Sequence, residues 1–366
     1  MTELKRAFEA KARGVVSEGS AVGFFGSDFP VVLVAACGLR AVDVEMEPAA
    51  DAGCVSAAVD EVAEPFVDAS ARRFLHRLLC GAYDDLAAIV FSRSTAAAYI
   101  AYLYATELRR QQRGAVGPLL HLWNGQLTDS DAVAAFNRSE AHRLEQTLAS
   151  IGGSGIEEGL PGAVAAERQR AEALAGLERT VQSGRISGHD AMRWRNAGRY
   201  LDAAEHARLL KAATDERAEN GKRAGRRIGL IGSPVAESRL YDLIEEFGTI
   251  VADPHSYGFA WPPPVPSDAA DIGAVLEAAA THRLQPRALP VAGHRQAIVR
   301  ACVEAGCDAA VIQLDPHDDT VGWDLPDIRA RLHAAGIRIV DLGFRPDPVD
   351  EAWLEAARGK LREALA

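Results

Sequence analysis

The densest run of side chains able to do chemistry is Asp315-Pro316-His317-Asp318-Asp319. Carboxylates beside an imidazole can hold a divalent cation or tune the histidine's basicity. Adjacent residues rarely converge on one ion, and Asp318 or Asp319 serves equally well to solvate or cap a turn. The sequence alone therefore nominates no metal ligand, and His317 stands as an acid–base candidate. A second histidine, His121, lies in the apolar run Pro118 to Leu122, with Trp123 and Asn124 after it. At a strand's end it could face a ligand crevice as acid, base or donor, or it could be structural. Ser92, Arg93, Ser94 and Thr95 offer three hydroxyls and a guanidinium where a strand turns into a helix. They lack the G-x-S-x-G of a nucleophile elbow, and helix capping by Ser94 or Thr95 is the competing role. Gly26-Ser27 and Gly232-Ser233 put small residues at a strand's end before a helix, where backbone amides suit a phosphate or a thioester oxygen. Tight-turn geometry explains the same glycines. Neither turn is a G-x-G-x-x-G or a P-loop.

These candidates sit at equivalent places in a repeat. The first half reads strand Val22 to Phe25, a Gly26-Ser27 turn, the apolar helical run Val31 to Ala36, and the return strand Ala41 to Val44. The second reads Ile228 to Ile231, a Gly232-Ser233 turn, a helix over Ala236 to Phe247, and Thr249 to Ala252. Each is followed by another such unit: Ala87 to Phe91 returning at Pro118 to Leu122, and Ala309 to Ile312 returning at Ile337 to Asp341. Repeated strand–helix–strand units imply an α/β fold of two similar Rossmann-like parallel-sheet domains. Ligands of such sheets bind beyond the carboxyl ends of the strands, which is where the candidate residues fall.

Between the halves, Ser130 to Ile151, Ala163 to Ser183 and Gly188 to Ala218 carry Ala, Leu, Glu and Arg at helical spacing. Ser187 with Asp190 three residues on reads as a helix start. Gly152 to Gly162, with five glycines and Pro161, reads as a flexible loop. Trp261 to Pro266 reads as a stiff polyproline-like stretch. The expected division is a first α/β domain with an N-terminal helix over 1–130, a helical segment over 131–225 and a second α/β domain over 226–366.

A net charge of −11 on 366 residues argues against nucleic acid or an anionic membrane as the main partner. No apolar run reaches the ~18 residues of a membrane span, and the charged start Thr2 to Phe8 lacks a signal-peptide core, so a cytoplasmic location is expected. Five scattered cysteines make neither a disulfide framework nor a two-cluster metal clamp, and read as free thiols.

With the loops placed, the chain resembles the 2-hydroxyacyl-CoA dehydratase D-component family, which includes the core subunits of ATP-dependent benzoyl-CoA reductase. The resemblance is carried by Gly23 to Pro30 and Ala35 to Leu39, then by Arg72 with Leu78, Gly81, Tyr83 to Leu86 and Ile89-Val90. It continues through Ile186 to Gly188, Asn196 with Arg199, Ile228 to Pro234, and Trp323 to Pro326 with Gly336-Ile337. It implies an acyl-CoA substrate, pairing with a related subunit, and a four-iron four-sulfur cluster held by three cysteines and charged by an ATP-dependent activator. The positions of those cysteines correspond here to Asp68-Ala69-Ser70, to Ser92 through Thr95, and to Pro316-His317-Asp318. None of the five cysteines falls in these loops, and hydroxyls are poor ligands for such a cluster. The expectation is a chain with no cofactor of its own that binds acyl-CoA or completes the crevice of a cluster-bearing partner. A stand-alone acyl-CoA lyase or hydratase using His121 or His317, and a purely structural partner, are the alternatives.

Overall fold

The computed structural model describes residues 3–10, 21–26, 29–46, 54–93, 95–111, 117–126, 128, 130–219, 221, 223, 225–258, 271–281 and 291–365. The expected polyproline-like stretch lies outside them. Among the described residues eight strands form two four-stranded sheets, all of whose pairings are parallel. The first contains β1 (Ala21–Phe25), β2 (Arg40–Asp43), β3 (Leu86–Ser92) and β4 (Leu119–Trp123), ordered β2-β1-β3-β4. The second contains β5 (Arg226–Gly232), β6 (Gly248–Ala252), β7 (Ala309–Leu314) and β8 (Arg338–Phe344), ordered β6-β5-β7-β8. The chain is thus α/β with two copies of one sheet topology. In each copy the strand order reverses beside the first strand, which opens a crevice at its carboxyl end.

The helices of the first half are α1 (Glu3–Ala10), α2 (Val32–Ala36), α3 (Ala57–Val62), α4 (Ala69–Leu79) and α5 (Ala96–Arg110). The middle supplies α6 (Asp131–Ser150), α7 (Ile156–Gln182), α8 (Gly188–Ala197) and α9 (Ala203–Ala218). The second half adds α10 (Ser238–Glu245), α11 (Ile272–Thr281), α12 (Val291–Glu304), α13 (Asp319–Ala334) and α14 (Glu351–Leu365). Among the described residues no helix is long and apolar enough to cross a membrane.

Alternation along the strands builds three cores. Val22, Phe24, Ala88 and Val90 pack against α2, α6 and the start of α7, whereas Ala21, Phe25, Ile89 and Phe91 face a core that continues through α4, α5 and α8 to the second sheet. Ile231, Ala310 and Ile312 face α12 and α13 on the far side. The middle helices are therefore shared: α7 packs on α2 near its start and on β6 further along.

The glycine-rich segment read as a flexible loop becomes helical from Ile156, and α7 runs straight through Pro161. Packing overrides the local preference for a break. Ile156 and Leu160 are buried in the first sheet's core, Glu145 Oε1 accepts the Ile156 N–H at 2.9 Å, and Glu157 and Glu158 suit a helix N-terminus. Gly159 is required there, because a Cβ would stand 1.9 Å from the Ala36 carbonyl oxygen. The expected start at Ser187 holds: its hydroxyl accepts the Asp190 N–H at 3.0 Å. The helix of the β7–β8 connection runs from Asp319 and contains Pro326.

Candidate functional site

The turns after β1 and β5 both need glycine. Gly26 has φ +118° and Gly232 φ +123°, and a Cβ on Gly232 would meet the Gln313 carbonyl oxygen at 1.8 Å. The Gly26 and Ser233 amides already have partners within the chain. The Gly26 amide donates to the Glu45 carboxyl. The Ser233 amide donates to the Gln313 carbonyl at 3.2 Å, Gln313 Nε2 donates to the Ser233 carbonyl at 2.6 Å, and Ser233 Oγ accepts the Asp315 N–H at 2.8 Å. The buried Arg345 donates to Gln313 Oε1 at 2.9 Å and lies 3.8 Å from Asp315 Oδ2. These amides are therefore spent on organising the crevice floor rather than left open for an anion. The nearest helix of useful length, α10, begins only at Ser238.

That floor presents acids. Asp68 caps α4, its Oδ1 accepting from the Ser70 amide at 2.7 Å and the Ser70 hydroxyl at 2.5 Å. From the second half, Asp315 Oδ1 accepts the His317 amide at 2.9 Å and lies 3.3 Å from His317 Nδ1. One ligand atom from each of Asp68, Asp315 and His317 falls within 4.8 Å of the others, and this is the one such group of three or more His, Cys, Asp or Glu among the described residues. Asp318 caps α13 through the Val321 amide at 3.1 Å. Burial pushes its carboxyl above the usual range, with Asp315 and Asp68 adding repulsion against the bonds from Val321 and Ser233. Burial likewise pushes the half-buried Glu45 carboxyl up to about 8, with Asp43 and Asp68 raising it and Arg199 and the Gly26 amide opposing. Glu45 therefore holds its proton to a higher pH than an ordinary carboxyl.

The remaining candidates scatter. His121 is buried within β4, its Nδ1 2.9 Å from Thr147 Oγ1 of α6, and burial with help from Arg143 lowers its pKa to about 4. Its contacts are with α6 and not with the acidic floor. Ser92 is buried at the end of β3. Arg93 donates to Asn124 Oδ1 at 3.0 Å and stacks over Tyr99 at 5.1 Å. Thr95 caps α5 by accepting the Ala98 N–H at 3.1 Å. Ser27 and Ser94 lie outside the described residues. Of the sequence candidates, Gly26 bonds Glu45 on one wall, and Gly232, Ser233 and His317 build the other.

Two arginines, Arg195 in α8 and Arg199 just after it, bind the halves together behind the crevice. Arg199 reaches Asp43 Oδ2 at 2.7 Å in the first half and the Ser256 carbonyl at 2.8 Å in the second, and stacks over Tyr257 at 4.9 Å. Asn196 fixes it, accepting from Arg199 Nε at 2.9 Å while donating to the Tyr257 carbonyl at 2.7 Å. Arg195 pairs with Glu178 at 2.7 Å and with Asp253 at 2.9 Å. Asn196 and Arg199 are among the residues that carry the family resemblance, and here they are structural.

A family model for the D-component of 2-hydroxyglutaryl-CoA dehydratase matches residues 27–353. The chain belongs to that family. No curated protein matches it in a sequence search. The family resemblance implies a thiolate-held iron–sulfur cluster, and this dehydratase-family chain does not fit one. Cys37, Cys302 and Cys307 are buried elsewhere, Cys54 donates to the His76 carbonyl, Cys80 is exposed at the end of α4, and none joins the Asp68–Asp315–His317 group. Carboxylate and imidazole donors stand where thiolates would be needed.

Sequence reasoning marked Asp68 only as standing in a loop where the family carries a cysteine, and it overlooked Glu45. The signal for Glu45 was available, since Asp43-Val44-Glu45 leaves a predicted parallel strand at its carboxyl end. Asp68 belongs to the site only because the second half folds back onto α4.

Proposed function

We propose that this chain is a subunit of a 2-hydroxyacyl-CoA dehydratase or benzoyl-CoA reductase type complex that holds no iron–sulfur cluster of its own. It binds an acyl-CoA thioester, or completes the crevice of a cluster-bearing partner, and an ATP-dependent activator would act on that partner. The observation that carries the reading is the meeting of Asp68, Asp315 and His317 where this family's ligand loops lie, with no cysteine among them. The acidic floor repels phosphate, so the uncharged thioester end faces it and the CoA phosphates stay at the rim.

The test has two arms. After anaerobic reconstitution the purified chain should contain negligible iron and acid-labile sulfide, and co-expression with a homologue bearing the three cluster cysteines should give a heteromer. Calorimetry on that heteromer with aliphatic and aromatic acyl-CoAs should show binding that weakens as salt rises, because phosphate contacts are screened. Stoichiometric iron in the chain alone would overturn the first arm. A monodisperse monomer that ignores the homologue and gives no heat with any thioester would overturn the second.

The pairing of His317 Nδ1 with Asp315 Oδ1 at 3.3 Å supports a stand-alone acid–base lyase as the competing reading. Turnover by the isolated chain, lost in His317→Gln, would establish it.

A further inference from the structure

We infer that Asp68, Asp315 and His317 form a binding site for one borderline divalent cation, of the Zn2+ or Mn2+ class, shared between the two halves of the chain. The donors differ from a surface patch of acids in three respects. They include an imidazole, they come from two separate α/β halves, and all three ligand atoms lie within 4.8 Å of one another. Three atoms bound to one Zn2+ at about 2.1 Å stand roughly 3.5 Å from one another, so a pair at the 4.8 Å limit would close by about 1.3 Å, within the reach of side-chain rotation. His317, 40% exposed, leaves solvent access for further ligands.

Each donor is held from behind, as metal ligands usually are. Ser70 bonds Asp68 through both its amide and its hydroxyl, and both bonds fall on Oδ1. Asp315 is positioned by Ser233 Oγ at its amide and by the Arg345 guanidinium 3.8 Å from Oδ2. The mismatch with a cluster points the same way, since these positions offer hard and borderline oxygen and nitrogen donors in place of soft thiolates. A set of three protein ligands with open positions is the arrangement of a reactive rather than a buried structural metal site.

The test uses the full chain stripped with EDTA, with Zn2+ titrated by calorimetry and Co2+ used as a visible-absorption probe. Wild type should take up one Zn2+, and Co2+ should give ligand-field bands without the intense thiolate charge-transfer absorption of a cysteine site. Asp68→Asn, which retains the helix cap, and His317→Gln, at an exposed position, should each weaken binding at least tenfold. His142→Gln removes a different histidine–carboxylate pair, with Glu145 at 3.4 Å on α6, and should change nothing. Absence of uptake by wild type, or uptake unchanged in both variants, would overturn the site. Weakening by His317→Gln but not by Asp68→Asn would also overturn it, since the ion would then belong to the second half alone. Acyl-CoA binding measured in EDTA separates this inference from the function proposed above: thioester binding that survives without any metal uptake sinks the site and leaves the function standing.

Discussion

Two groups of charged side chains occupy the seam between the sheets, and they are built on opposite principles. At the arginine seam, the buried Arg195 and Arg199 are met by Glu178, Asp253 and Asp43, and the leftover guanidinium donors reach backbone carbonyls or Asn196. On the crevice floor Glu45, Asp68, Asp315 and Asp318 crowd together with guanidiniums only at the edges of the group, Arg345 beside Asp315 and Arg199 on the Glu45 side. Buried ions are tolerated when paired and costly when not, so the first group reads as a fastener and the second as a place that awaits something. The family match covers both, but only the second lies at the carboxyl ends of the strands, where this fold class binds ligands.

The comparison can be broken most forcefully at the fastener. Arg199→Ala leaves Asp43 buried without its partner and frees the Ser256 carbonyl, and should cost about 3–5 kcal/mol in urea unfolding. A loss below 1 kcal/mol would mean that the seam is not held by this residue. The floor should respond less. Gly232→Val forces a Cβ against the Gln313 carbonyl at a left-handed φ, costing roughly 2–3 kcal/mol, and should weaken thioester binding by displacing Ser233 and Asp315.

The smallest effects separate the two groups by pH. Glu45 has a folded-state pKa near 8 against an ordinary 4.5, so its neutral form favours the folded chain and its contribution is lost as pH rises from about 4.5 to 8. Glu45→Gln should therefore gain stability over wild type progressively across that window, by on the order of 1–2 kcal/mol once partial exposure is allowed for. His255, at the arginine seam, is the mirror case: burial, with Arg195, Arg345 and Arg199 adding repulsion, lowers it from 6.5 to about 3. Its neutral form favours the folded chain, a contribution present above pH 6.5 and lost as pH falls toward 3, so His255→Gln should gain stability over wild type progressively as pH falls across that window. Parallel stability–pH profiles for the two variants would show that the two groups do not differ as argued.

Much of this architecture was legible in the chain. Short apolar runs, those of β1, β3 and β5 ending at glycine or serine, gave the eight strands of the described residues, and the shared order of the two sheets follows from the repeated spacing. What could not be read were contacts set by tertiary packing. Nothing local announces that α7 begins at Ile156, because a glycine-rich helix start is stabilised only by Ala36 and Glu145 pressing against it. The floor was half visible: Asp315 and His317 stand out as neighbours, but Asp68 joins them across most of the chain's length. His121 failed to reach the crevice for the converse reason. Its position in β4 was readable, but the side to which its ring points depends on the docking of α6.

One element sets what motions remain possible. Helix α7 has 27 residues, about 40 Å of continuous rod, and it is clamped to α2 near one end and to β6 nearer the other. The two sheets are thus mounted on a common beam rather than joined by a hinge. The backbones that carry Asp68 and His317 keep a set spacing under that geometry, with only their side chains free to adjust, and a guest must enter by sliding in from the open rim, since a clamshell would first have to bend the beam.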